Sequence, residues 1–134
     1  MAKSIQLKDS SNENIYPYAL LKEFVLYDNV NGTTGNIVLS DTSNNYKYIE
    51  VLYGADSRYN SLKLYKPNNK KFSTFISYVS DDGNSFMYQY STECIVIDNK
   101  INQTYARNNY VYNNTNGNYG SNKYVKIYRV IGYK

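Results

Sequence analysis

The stretch TGNIVLSDTSNNYKYIEVLYG, residues 34–54, decides how this chain folds. It holds two strand-like runs, residues 36–40 and 46–54, separated by a short polar corner. In the second run Ile49, Val51 and Tyr53 alternate with Tyr48, Glu50 and Leu52, the period of two that marks a strand with one face in a core. In the first, Ile37 and Leu39 take the inward positions. The corner Ser40-Asp41-Thr42-Ser43-Asn44-Asn45 is rich in N-capping residues but too short for a helix. It allows one helical turn, capped by Ser40 or Asp41. Two strands meeting at such a corner need further strands above and below them.

The flanking sequence supplies those strands. Residues 4–8 alternate Ile5 and Leu7 with polar neighbours, and DSSNEN (9–14) is turn chemistry before the extended pair Tyr16-Pro17. Residues 20–27 (LLKEFVLY) carry spacing that suits a helix, but Phe24-Val25-Leu26-Tyr27 favours a strand. Residues 28–35 hold Asn31-Gly32 and Thr34-Gly35, both turn signals. After 34–54, residues 55–61 read as a loop and 62–66 as a strand stopped by Pro67. Strands follow at 71–79, 85–91, 93–98 and 101–107, with a hairpin turn at Asp81-Asp82-Gly83-Asn84 and another at Asp98-Asn99-Lys100. Residues 108–122 form a long polar segment, and 123–134 (KYVKIYRVIGYK) set Val125 and Ile127 against Tyr124, Lys126 and Tyr128. The expected fold is therefore all-β: a single antiparallel β-sandwich, jelly-roll-like, over residues 19–134, preceded by a short N-terminal arm at 1–18. An arm of this kind frays unless held, so residues 1–18 are expected to dock onto a neighbouring chain, with Ile5, Leu7, Tyr16 and Tyr18 as the contact residues.

Composition excludes several chemistries. The 134 residues amount to one domain, and 18 of them are Tyr. The net charge of +4 is mildly basic and unclustered, and richness in Asn, Tyr, Lys and Ile also follows from A/T-rich codons. With one Cys there is no internal disulfide; with no His there is no Cys–His nucleophile pair. Cys94, in the run ECIVI, reads as a small buried hydrophobe. The N-terminus lacks the apolar core of a signal peptide, and no run reaches the ~20 apolar residues of a membrane helix. Asp81-Asp82-Gly83-Asn84 lacks calcium-loop spacing. Glu50 and Glu93 could form a hydrolytic pair only if adjacent strands brought them together. No catalytic residue, metal ligand or cofactor is expected, and the chain does not read as an enzyme. Lys123, Tyr124, Lys126, Tyr128 and Arg129 read as the exposed face of the last strand rather than a nucleic-acid platform.

The pattern GTTGNIVLSDTSNNYKYIEVLYG, then SLKLYKPNNKKF and the ending YVKIYRVIGYK resemble the C-terminal domain of tail-fibre and minor tail proteins from phages and prophages of low-GC Gram-positive bacteria. The opening SIQLKDSSNENIYPYA is similar to the leader of many such phage structural proteins. That resemblance implies a virion β-sandwich module, often trimeric, that attaches to the host surface. The long fibre shaft of that family is absent here. A stand-alone receptor-binding tip, a baseplate, head-fibre or capsid decoration protein and a cap on another fibre all stay open.

Sugar binding needs flat aromatic faces and planar polar groups, which Tyr and Asn supply with few torsions to freeze. The densest cluster is Tyr110, Tyr112, Asn113, Asn116 and Tyr119 in the polar segment; its alternative reading is a solvated loop with Tyr110 and Tyr112 on an extra strand. A second cluster, Asp56, Arg58 and Tyr59, sets a charged pair beside an aromatic. The expected function is host attachment through a surface polysaccharide, by a homo-oligomeric virion protein joined to other virion proteins through its arm. The alternative is a purely structural virion protein with no ligand. Neither nucleic acid nor membrane insertion belongs to either.

Overall fold

In the computed structural model of the chain, the backbone is described for residues 7–8, 14–15, 21–79, 86–112, 115–120 and 123–134, and the side chains for 21–79, 87–109 and 123–134. The strands are β1 (Leu7–Lys8), β2 (Asn14–Ile15), β3 (Glu23–Thr33), β4 (Ile37–Val38), β5 (Tyr48–Ala55), β6 (Arg58–Tyr65), β7 (Lys71–Val79), β8 (Phe86–Ile97), β9 (Lys100–Tyr112), β10 (Thr115–Gly120) and β11 (Lys126–Tyr133). One sheet has the order β3-β11-β5-β6; the other runs β10-β9-β8-β7, with β4 also on β9. Among the described residues there is no α-helix. The two antiparallel sheets pack face to face as the all-β sandwich that the alternation in residues 34–54 predicts.

The core follows from that alternation. Ile49, Val51 and Tyr53 are buried, as are Ile37 and Leu39, while Val38 between them is 62% exposed. Ile37, Leu39, Ile49 and Val51 pack with Leu26, Tyr46, Cys94, Val96, Ile101, Ile127 and Val130 into one cluster. A second cluster joins Tyr53, Ala55, Ile76, Tyr90 and Val125 at the other end. There the interior turns polar, with Thr74, Thr92 and Asn108 buried. Among the described residues, Ser43 Oγ and Thr92 Oγ1 are buried without a hydrogen-bond partner. Each such hydroxyl costs about 1–3 kcal/mol. Each buried Val, Leu or Ile returns about 1.5–3 kcal/mol, so the aliphatic cluster outweighs them.

Residues 40–46 make the predicted corner with a different cap. The 3-10 turn is Ser43–Asn45, its N-cap is Thr42, and no side chain caps it. Asp41 works from one position earlier. Its carboxylate accepts from Thr42 N at 2.7 Å, Asn45 Nδ2 at 2.9 Å and the Tyr46 hydroxyl at 2.9 Å. Lys134 Nζ stands 3.7 Å from it. Lys22 and Lys134 exchange backbone hydrogen bonds of 3.2 Å, extending the β3–β11 ladder by one pair.

Several expected turns differ. The turn expected over 28–35 falls at its end: β3 runs to Thr33, the chain reverses at Thr34-Gly35, with Gly35 at φ 111°, and returns to place Ser40 N 2.8 Å from Leu26 O. Asn29 to Gly32 form an excursion between the pairs Asp28↔Arg129 and Thr33↔Ile127. The Asn-Gly signal serves that excursion, with Gly32 at φ 64°. Residues 55–61 are not an open loop. Asp56 and Ser57 both adopt positive φ and join β5 to β6 in a two-residue hairpin. The polar segment 108–122 is largely paired: β9 continues to Tyr112 and β10 returns on it, starting at Thr115↔Tyr112. Antiparallel pairing satisfies backbone groups whatever the polarity of the side chains, which is why composition read as loop. The strands expected at 85–91 and 93–98 merge into one, β8 (Phe86–Ile97). The Asp98 turn stands as predicted, with Asp98 at φ 51° and Ile97 opposite Lys100. The Asp81–Asn84 turn lies outside the described residues, between strands paired at Val79↔Met87.

Of the arm, Leu7 and Lys8 pair with Ile15 and Asn14, the latter expected in the turn. Ile5, Tyr16 and Tyr18 lie outside the described residues.

Candidate ligand-binding face

Because Ile49, Val51 and Tyr53 point inward, Tyr48, Glu50 and Leu52 face outward from the four-stranded sheet. The strand register extends each of them into a cross-strand row. Tyr48 is flanked by Tyr133 and Tyr65; Glu50 by Ile131 and Lys63; Leu52 by Arg129 and Ser61. Beyond Leu52, Tyr59 of β6 and Tyr128 of β11 meet edge to face at 5.0 Å. Tyr128 has no partner position on β5: Ile127 pairs Tyr53 and Arg129 pairs Leu52, so Tyr128 is the extra residue of a β-bulge. The bulge is what lets Tyr128 and Arg129 both face outward.

Two adjoining clefts result. One, of about 430 Å³, is lined by Asp28, Asn29, Val30, Leu52, Tyr59, Tyr128 and Arg129. The other, of about 230 Å³, is lined by Glu50, Leu52, Ser61, Arg129 and Ile131. Leu52 and Arg129 belong to both. Arg129 is held by Asp28 at 3.2 Å, with both side chains about half exposed, so the ion pair orients the guanidinium more than it stabilises the fold. The wall at Asp28–Val30 is the β3 excursion. Asn29 ties it down: Asn29 Oδ1 accepts from Asn31 N at 3.1 Å and Nδ2 donates to Thr33 Oγ1 at 3.0 Å. Lys126 Nζ donates to Asn31 O at 3.2 Å.

At the far end the Tyr48 and Tyr133 rings stack at 4.3 Å, and Tyr65 tilts against Tyr48 at 5.2 Å. The Lys63 ammonium sits 5.4 Å from the Tyr48 ring centre. The Tyr133 hydroxyl donates to Glu50 Oε2 at 3.2 Å. Burial, followed by the Glu23 and Glu50 carboxylates, pushes the Tyr133 phenol up to about 12. Tyr128 is also raised, first by burial and then by Tyr59 beside it. Both phenols are therefore neutral hydrogen-bonding groups at physiological pH.

Of the residues singled out in the sequence as glycan contacts, Tyr59 alone among the described residues joins this face. The Asp56–Arg58 pair turns toward the other sheet: Asp56 Oδ2 accepts from the Tyr78 hydroxyl at 2.8 Å, and the Arg58 guanidinium lies 3.8 Å from the Tyr78 ring centre. Tyr78 in turn belongs to a group of rings with Tyr88 and Tyr90, to which Tyr124 is joined through Tyr90. Tyr110 and Tyr112 are in β9, opposite Tyr88 and Phe86, and Asn116 and Tyr119 are in β10. That cluster thus belongs to the second sheet and not to the face carrying Tyr59; Asn113 lies outside the described residues. Glu50 and Glu93 are brought to opposite outer faces, so no hydrolytic pair forms between them. Lys123, Lys126 and Arg129 are directed to Gln103 O, Asn31 O and Asp28 and do not form one strip.

Sequence reasoning missed Tyr48, Tyr65, Tyr133, Leu52 and Asp28 as surface partners. Their outward alternation was readable, but which strands lie side by side was not. Among the described residues no group of His, Cys, Asp and Glu is arranged to hold a metal ion, and no helix is long and apolar enough to cross a membrane. No family model matches the chain, and no curated protein matches it.

Proposed function

We propose that the protein is a virion attachment protein that binds a host-surface glycan on the outer face of its four-stranded sheet. The observation that carries this reading is Tyr59: 59% exposed, braced by Tyr128, above a cleft with an apolar floor and a charged rim. A sugar ring presents C–H groups to such an aromatic face and hydroxyls to such a rim. Tyr is well suited because two torsions suffice to fix it, and here the neighbouring ring has already restricted them. The virion assignment rests on the resemblance of the strand and turn patterns to phage tail-fibre and minor tail domains. One such cleft binds weakly, and several copies about an axis, a trimer above all, would multiply the avidity. The arm would serve assembly with other virion proteins.

The test is binding of the labelled protein to low-GC Gram-positive cells before and after removal of wall polysaccharide. Binding that disappears with the polysaccharide, and that Tyr59→Ala abolishes, supports attachment. Indifference to the removal overturns it in favour of a purely structural role. Light scattering after size exclusion reads the oligomer, and a monomer at micromolar concentration counts against the trimer.

A further inference from the structure

The cleft beneath Tyr59 is one end of a longer feature. We infer that the ligand is an extended sugar chain lying along β6, read at several successive units, and not a single terminal sugar. This inference rests on the glycan reading above. Residues 59, 61, 63 and 65 of β6 share the outer face, because Leu62 and Leu64 between them pack on the core. Tyr59 and Tyr65 are the exposed aromatic rings of that row, at 59% and 65%. Six residues at ~3.3 Å each separate them by about 20 Å along the strand, more than one sugar ring can bridge. Each ring is braced from behind, Tyr59 by Tyr128 and Tyr65 by the stacked pair Tyr48–Tyr133.

Between the two platforms the surface offers donors and acceptors in alternation: the Ser61 hydroxyl and Arg129 in one row, Lys63 and the Glu50 carboxylate in the next. Both clefts lie in this interval and share Leu52. The charges balance, two acids (Asp28, Glu50) against two bases (Lys63, Arg129), so a polyanion gains no net field and a neutral, hydroxyl-rich chain finds partners throughout. Among the described residues β6 pairs with β5 alone and is an edge strand, so a long chain can lie along the row without meeting a further described strand.

The probe is a printed array of glucose, N-acetylglucosamine and galactose oligosaccharides, from mono- to hexasaccharide, read with the wild type, Tyr65→Ala, Tyr65→Phe and Tyr59→Ala, each first shown to be folded by its thermal transition. The expected result is affinity rising at least about tenfold from monosaccharide to the longest bound oligomer. Tyr65→Ala should remove that rise, and Tyr65→Phe should keep it. Equal affinity at all lengths, or a hexasaccharide indifferent to Tyr65→Ala, overturns the extended chain but leaves glycan binding intact. Silence of the whole array, together with cell binding indifferent to polysaccharide removal, overturns both. Conversion of an oligomer to a monomer by Tyr65→Ala would make this face a subunit contact, and that too overturns the inference.

Discussion

Gly132 of the last strand lies against the ring of Tyr46: a Cβ on the glycine would stand 2.4 Å from Tyr46 Cδ1. The ring cannot swing aside, because its hydroxyl is bound to Asp41 and its face is packed into the core. Gly132→Ala should therefore destabilise the fold by about 1–3 kcal/mol, the usual range for overpacking. The denaturant midpoint should fall with the slope unchanged.

The same corner sets a pH response at both extremes. Hydrogen bonds from Asn45, Tyr46 and Thr42 hold Asp41 below the usual carboxylate range. A lowered folded-state value means stability present above the unfolded value near 4 and lost as pH falls below it. Asp41→Asn should therefore flatten the acid side of the stability profile. Tyr46 and Tyr133 are pushed up to about 12, chiefly by burial. For them the sign reverses: the contribution is intact below the ordinary phenol value near 10 and disappears as pH climbs from there toward 12. Thermal transitions followed by circular dichroism across pH would check both limbs.

Thr92 is buried, and its hydroxyl has no partner among the described residues. Thr92→Val keeps the shape and β-branching while removing that hydroxyl. The variant should gain about 1 kcal/mol, read as a raised urea midpoint. A loss would show that the hydroxyl is bonded in solution.

Cys94 is fully buried, and burial pushes its thiol up to about 12. At neutral pH it should be inert to Ellman's reagent in the native protein and react at once in denaturant, since only the exposed thiolate attacks. The native reaction rate should track global unfolding.

Gly32 sits at φ 64°, and a Cβ there would lie 2.8 Å from the Tyr128 ring and from Lys126 Cβ. Gly32→Ala combines backbone strain with displacement of Tyr128. It should lower the melting temperature by a few degrees and weaken glycan binding at the Tyr59 cleft, measured by calorimetry on the best array ligand.

How much of this was readable in advance depended on range. Ile49-Val51-Tyr53 and Ile37-Leu39 announce a half-buried strand through neighbours two residues apart, and the buried set follows. The bulge at Tyr128, and those at Leu26 and Thr104 revealed by the β3–β11 and β8–β9 registers, exist only as a mismatch between two chains of residues. Single-strand periodicity carries no trace of them. The Asn31-Gly32 pair signals positive φ without saying whether the chain will reverse or only detour. The outer face is more remote still: Tyr48 and Tyr133 are stacked because β11, from the far end of the chain, inserts between β3 and β5. Tyr59 and Tyr128 were each readable as exposed aromatics, but nothing in either strand says that the two rings meet.

Tyr128 is a supernumerary residue, and that has an engineering corollary. Excise it, and Ile127, Arg129, Val130, Ile131 and Gly132 would alternate in-out-in-out-in without interruption, every one of them keeping its present side. Fold and proposed binding face thus differ in their need for a single residue. The sandwich can be assembled without this ring, and a one-residue deletion would yield a folded scaffold stripped of its brace for Tyr59, a cleaner blank than any substitution.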